Sequence, residues 1–258
     1  MPELPEVECA RRYVQHHALD ARIIRTEVLD LKMLEGDDAT DLDRHVRGTT
    51  VLGTYRHGKH LFLDLGEGML HIHLGMSGSI HFLQDEGHSS HERLRLPMDR
   101  GVLLLDDPRR FGRFGWVQSI TDLVTEKGLG PDALSIGEEE FIHRVGGRRK
   151  AIKAVLLDQK VVAGIGNLYA DEVLFQERLA PVALASQIPK GRLIGTWSRM
   201  REVLGTAINA GTDFERFPDD YLLRQRDRGG PCPRCGHELR SAKVGGRTTI
   251  YCPFCLSI

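Results

Sequence analysis

"CPRCGHELRSAKVGGRTTIYCPFC", residues 232–255, holds four of the chain's five cysteines in two C-x2-C pairs separated by 16 residues. Zinc takes four tetrahedral ligands, and each C-x2-C pair brings two sulfurs within reach of one ion. Disulfides are the alternative, but thiols stay reduced inside a cell. With Cys232, Cys235, Cys252 and Cys255 all bound, the ion has no open position, so one structural Zn²⁺ is expected. Between the pairs, "KVGGRTTIYC" (243–252) reads as a hairpin turning at Gly245 and Gly246. Arg247 then projects from a tip that zinc holds rigid, or is simply solvated.

Working outward, the 258 residues are 41% hydrophobic and 28% charged, enough core for one large domain or two smaller ones. No apolar run approaches the roughly 20 residues of a membrane span. The N-terminus lacks the basic start and apolar stretch of a signal peptide. A soluble, cytoplasmic protein is expected, nucleoid-associated if the source is bacterial. Net charge is −1 but unevenly spread: residues 1–130 hold 16 Lys/Arg against 21 Asp/Glu, and the remainder 19 against 15. A basic C-terminal half is compatible with a polyanion partner or with a solvated surface.

From about residue 22 to 118 the pattern is strand-like. "HLFLDL" alternates, "GEG" turns, "MLHIHL" follows and "GVLLLD" suggests a buried strand. About eight strands are expected, as a β-sandwich or barrel with an N-terminal helix over residues 5–17. Glu6 and Glu8 would then complement the helix dipole. "EKGLGPDAL" (126–134) reads as a linker. Helices follow at 138–145, 149–158, 168–178 and 190–210, the last ended by Gly211. The expected class is α+β multi-domain: residues 1–125, a linker at 126–136, a helical domain at 137–228 and a zinc finger at 229–258.

Three further stretches carry possible chemistry, each with a plain structural alternative. "AGIGNLYADE" (163–172) sets glycines before a helix, as an anion clamp does, or as an ordinary helical connection would. Arg148, Arg149, Lys150 and Lys153 lie upstream. "DDPRRFGRFGW" (106–116) mixes arginines with aromatics, either core beside surface or a wedge for a base stack. Seven histidines between His57 and His91 lack a carboxylate partner for a convincing second metal site. Cys9 reads as a half-buried structural thiol.

Taken together, "PELPEVE" (2–8), "HLGMSG" (73–78), "DPRRFG" (107–112), "GIGNLYADE" (164–172) and the cysteine ending resemble the formamidopyrimidine-DNA glycosylase/endonuclease VIII family. The motifs run in order over nearly the whole chain, and "PELPEVE" is similar to the formamidopyrimidine branch. The resemblance implies an N-terminal β-sandwich, a helix–two-turns–helix domain and a zinc finger. It also implies a bifunctional DNA glycosylase and AP lyase that acts on oxidised bases in damaged double-stranded DNA, without membrane association, as a monomer. On this resemblance Met1 is removed, the Pro2 amine is the nucleophile and Glu3 the general acid/base. Lys59 assists β-elimination, and Arg247 clamps phosphate and supports δ-elimination. His91, Arg109, Arg148, Lys153 and Asn167 would contact the DNA backbone. Met76, Arg109 and Phe111 would fill the gap left by an everted nucleotide.

An amine nucleophile is sensible from first principles, since attack on C1′ displaces the base and leaves an imine. An α-amino group titrates near pH ~8, so a useful neutral fraction exists. One departure concerns residues 213–231, "DFERFPDDYLLRQRDRGGP". They are short, charged and lack the Gly-rich tip of the loop that covers an everted 8-oxoguanine in the formamidopyrimidine branch. Broad base choice is expected. A non-catalytic DNA-binding protein of the same fold is the competing class, and Pro2 with Glu3 argue against it.

Overall fold

The computed structural model describes residues 1–36, 38–85, 87–226 and 230–256, in two compact units. The first comprises Met1–Pro2 and Glu6–Lys127. Helix α1 (Leu4–Ala18) turns Val7, Val14 and Ala18 into the core at helical spacing. Glu8 is no dipole partner. It lies beyond the first turn and accepts from Arg11, Arg12 and Arg56, whose charges hold its carboxyl low although burial opposes this.

Among the described residues, eight strands follow in two antiparallel four-stranded sheets. One has the order β2 (Gly53–His57), β3 (His60–Asp64), β4 (Met69–His73) and β8 (Arg113–Val117). The other runs β1 (Glu27–Val28), β6 (Glu92–Met98), β7 (Gly101–Asp106) and β5 (Ser79–Leu83). Leu61, Leu63, Leu70 and Ile72 of one sheet share a cluster with Leu94, Leu96, Leu103 and Leu105 of the other. That shared core is the β-sandwich expected from the alternation. Strand β3 is buried on both faces, however, because His60 and Phe62 pack against His71 of β4.

Two short helices are not among those expected, one within the strand-like stretch and one just after it. In α2 (Ala39–Val46), the Asp38 carboxylate caps the start by accepting from Thr40 and Asp41 N–H. The last element of the unit is α3 (Ile120–Lys127).

The second unit comprises Glu3–Pro5 and Gly128–Ile258. Residues 128–136 fold onto it, with Ala133 and Ile136 buried and Gly130 N–H donating to Gln159. Helices α4 (Glu138–Gly146), α5 (Ile152–Leu157), α6 (Asn167–Gln176) and α7 (Lys190–Asn209) surround one apolar core. Gly211 follows α7 at φ 66°, the left-handed conformation that ends a helix with least strain. The hairpin β9 (Arg240–Val244) and β10 (Arg247–Tyr251) turns at Gly245 and Gly246 as expected. Leu4 is fully buried in this unit's core and its N–H donates to Gly164. Burying one leucine is worth about 1.5–3 kcal/mol, which orders a terminus that chains usually leave loose. Among the described residues, no helix is long and apolar enough to cross a membrane.

Candidate functional site

The glycine run before α6 holds an anion, but that anion is the protein's own Glu3. Its carboxylate is 1% exposed and accepts from Gly166 N–H at 2.8 Å, Leu168 N–H at 2.8 Å and Tyr169 N–H at 3.3 Å. The helix N-terminus offers donors and a partial positive charge, and a carboxylate satisfies both. The phosphate-clamp reading of residues 163–172 is therefore replaced by an internal one. Gly166 is needed for space, because a Cβ there would stand 2.2 Å from Glu3 Cδ. Pro2, the next residue along the chain, is half-buried.

Lys59 sits with Gly58 in the two-residue turn joining β2 and β3, where His57 pairs with His60. Gly58 takes φ 56° at the first turn position, where hairpins of this length favour glycine.

Strand pairing also gathers the three wedge candidates. Gly75 at φ 63° approaches the Phe111 backbone so closely that a Cβ would lie 2.3 Å from its carbonyl carbon. The turn carrying Met76 thus packs against the loop carrying Arg109 and Phe111. Phe111 is 50% exposed, with the Arg109 guanidinium 5.2 Å above its ring. Asp107 pins both loops and was not singled out from sequence. It is fully buried and accepts from Ser77 Oγ (2.6 Å), Gly112 N–H (2.7 Å) and Arg109 N–H (3.2 Å). Burial alone would raise its pKa, but these donors hold it below the ordinary aspartate value. Its signal was its place before Pro108, where Asp side chains commonly bond the backbone two residues on.

Behind this turn, His73 Nδ1 accepts from Gly75 N–H, and His60 and His71 bond at 2.7 Å. Burial lowers their pKa values to about 4, 2 and 3 respectively, so all three rings are neutral at neutral pH. His91 is exposed before β6, its ring bonded to Ser90 Oγ.

In the second unit, Arg148 is exposed beyond α4 and Arg247 is exposed at the start of β10. Lys153 is different. Its ammonium is fully buried, 2.6 Å from Asp171 and 2.7 Å from Thr249 Oγ1. Burial pulls its pKa below the ordinary lysine value, against the pull of Asp171. A charge so enclosed bonds protein rather than solvent, whereas Arg148, Arg149 and Lys150 upstream are exposed. Asn167 donates to the Thr248 carbonyl at 3.0 Å.

The four cysteine sulfurs lie within 4.8 Å of one another, with Cys232–Cys255 at 3.7 Å and Cys235–Cys252 at 3.5 Å. A tetrahedral zinc with bonds of ~2.3 Å separates its sulfurs by about 3.8 Å, so this donor set fits one structural zinc. Beneath it, Cys232 and Cys252 pack with Phe175 and Leu222.

Comparison with known proteins agrees with this architecture. The family model for the formamidopyrimidine-DNA glycosylase N-terminal domain matches residues 1–114. The model for that enzyme's H2TH domain matches 128–218, and a zinc finger found in FPG and IleRS matches 229–258. Formamidopyrimidine-DNA glycosylases of Geotalea daltonii and Desulfitobacterium hafniense are each 36% identical, over 99% of both chains. Among solved structures, MutM in complex with carbocyclic 8-oxo-G containing DNA aligns with a TM-score of 0.87 at 29% identity, covering 100% of each chain. The Lactococcus lactis Fpg complex with abasic-site DNA gives 0.87 at 28% identity, covering 99% of this chain and 100% of that one. With its three domains matched in order and its whole length shared with these relatives, the chain belongs to the formamidopyrimidine-DNA glycosylase family.

Proposed function

We propose that this chain, a DNA glycosylase of base excision repair with the AP lyase activity typical of its family, works through the amine of Pro2. The carrying observation is the sequestered Glu3. Three backbone N–H groups of α6 fix its carboxylate directly beside Pro2 in the chain. Fixing a carboxylate so close to a potential nucleophile suits general acid/base work on the sugar. With Met1 removed, the Pro2 amine attacks C1′, the base leaves and an imine remains. Lys59 then assists β-elimination, and Arg247 holds phosphate through δ-elimination. Met76, Arg109 and Phe111 fill the vacated stack, which an enzyme working on a flipped nucleotide must support. His91, Arg148 and Asn167 contact the backbone of damaged double-stranded DNA, with Lys153 acting through the strand it holds. Related structures contain lesion-bearing DNA, which supports this partner. A monomer working in the cytoplasm or on the nucleoid, with residues 1–125, 137–228 and 229–258 as functional domains joined through 126–136, completes the proposal.

We further infer a broad lesion range. The segment after α7 is tied down as far as residue 226. Phe217, Tyr221, Leu222 and Leu223 are buried, and Leu222 and Leu223 N–H donate to Glu172. Residues 227–229 lie outside the described residues. The alignment to the Geotalea relative spans 273 positions against 258 residues here, so that relative carries residues this chain lacks. A pocket with few hydrogen bonds to the base discriminates weakly.

Borohydride trapping and single-turnover excision on matched duplexes test both points. Processed protein should form an adduct at Pro2, while protein retaining Met1 should form none. Abasic, formamidopyrimidine and further-oxidised lesions should react faster than 8-oxoguanine opposite cytosine. An adduct on a lysine refutes the nucleophile, and 8-oxoguanine as much the fastest substrate refutes the broad range.

A further inference from the structure

The strand that begins at Arg247 is gripped from below by a buried ionic hub. Asp171, on α6, is 1% exposed. Its Oδ1 lies 2.6 Å from Lys153 Nζ, and its Oδ2 accepts from Arg226 at 3.0 Å and from Ile250 N–H at 3.1 Å. Lys153 passes the grip on to Thr249 Oγ1 and, at 3.3 Å, to the Thr248 carbonyl. That carbonyl also accepts from Asn167 at 3.0 Å. The three residues following Arg247 are thus all fixed, by donors and acceptors drawn from α5, α6 and Arg226. The hairpin tip is close-packed as well, since a Cβ on Gly245 would meet Ala154 at 3.0 Å.

A buried ion pair is expensive to desolvate and is weak evidence for stability. Nor does the finger depend on it for closure, because zinc and four cysteines already cross-link the hairpin to the knuckles. What the hub adds is direction. It joins Thr248, Thr249 and Ile250 of β10 to the helices, whereas the metal-binding Cys252 only follows the strand's far end.

We propose that Asp171 is a positioning residue, which through Lys153 and the β10 backbone aims Arg247 at the phosphate released in the second elimination. This rests on the role proposed for Arg247 in δ-elimination. In that step a proton leaves C4′, the C5′–O bond breaks and the 5′ phosphate departs with the electron pair. A displaced guanidinium would therefore slow this step while leaving imine formation at Pro2 untouched. Misplacing a group by about 1 Å can change rates by up to ~100-fold.

The test is product partition on an abasic-site duplex, where an end bearing the unsaturated sugar fragment is resolved from an end bearing phosphate. Asp171→Asn should keep one zinc per chain and full borohydride trapping, while reducing phosphate-ended product about tenfold. Asp171→Glu, which restores the charge, should recover part of the loss. In an Arg247→Ala background, Asp171→Asn should add nothing, since residues acting as one unit are non-additive. Thr249→Val, which removes only the Lys153 acceptor, should shift the partition in the same direction. An unchanged partition in Asp171→Asn with zinc intact overturns the proposal, as does full additivity with Arg247→Ala. Loss of zinc in both Asp171→Asn and Thr249→Val also overturns it, because the hub would then hold the finger rather than aim one arginine. If Arg247→Ala alone leaves the partition unchanged, it is the role of Arg247 that fails.

Discussion

Gly166→Ala isolates the contact between Glu3 and α6 with the smallest perturbation available. The backbone there is extended, at φ −127° and ψ −161°, so alanine meets no conformational strain. Its Cβ, however, would stand 2.2 Å from Glu3 Cδ, 2.4 Å from Oε1 and 2.6 Å from Cγ. Glu3 must move, and it forfeits two or three hydrogen bonds to a charged acceptor. Such bonds contribute about 1.5–3 kcal/mol each, and relaxation recovers part of that. A loss of about 3 kcal/mol is expected, or roughly 6–12 °C in Tm for a protein of this size. Excision should fall about 100-fold or more, the contribution of a positioned general acid/base. Single-turnover kinetics and thermal unfolding, run beside Gly191→Ala, provide the assay. A methyl added at Gly191 would meet nothing within 4 Å, so its change should be neutral or mildly stabilising. Gly166→Ala with the rate and Tm of the parent would refute the steric reasoning.

Stripping zinc with a chelator should unfold the cluster of Phe175, Leu222, Cys232 and Cys252 and weaken DNA binding. The first unit's far-ultraviolet strand signal should persist. Burial raises the Glu172 pKa from 4.5 to about 7, despite bonds from Gln176, Leu223 and Leu222 that favour its charged form. The folded state therefore binds this proton more tightly than the unfolded one, and stability should decline as pH rises from about 4.5 to 7. Glu172→Gln should flatten that slope in denaturant melts taken across the interval. Asp107→Asn keeps one acceptor oxygen but must turn an amide toward a donor, which should loosen the Met76 and Phe111 loops. A destabilisation of about 1–3 kcal/mol is expected, with weaker fluorescence of 2-aminopurine placed opposite an abasic site.

The sequence disclosed what depends on local pattern. Alternation located the sandwich strands, the segments read as helical at 138–145, 149–158, 168–178 and 190–210 overlap α4 to α7, and cysteine spacing located the metal-binding set. It did not disclose α2, because 39–46 is too short for periodicity to stand out from its polar surroundings and only the Asp38 cap marks it. The family was legible where a motif is continuous, as at "PELPEVE". The sequence was misleading where the partner is distant in sequence. Gly166 and Lys153 look like surface anion binders until Glu3 and Asp171 are seen to occupy them, 163 and 18 positions away. Asp107 has a similar history, since its Ser77 partner arrives only when the sheets assemble.

The placement of Glu3, Leu4 and Pro5 in the second unit has a consequence for synthesis. These residues are made before the core and the helix end that receive them, which lie beyond residue 128. At ~5–20 residues per second, the N-terminus waits on the order of ten seconds for its seat. On the roles proposed for Pro2 and Glu3, the acid/base is seated only once α6 has emerged, because a chain ending before α6 leaves Glu3 without its three N–H donors. An N-terminal half made alone therefore lacks the seat of Glu3, and the chemistry proposed for that residue waits on completion of the C-terminal half.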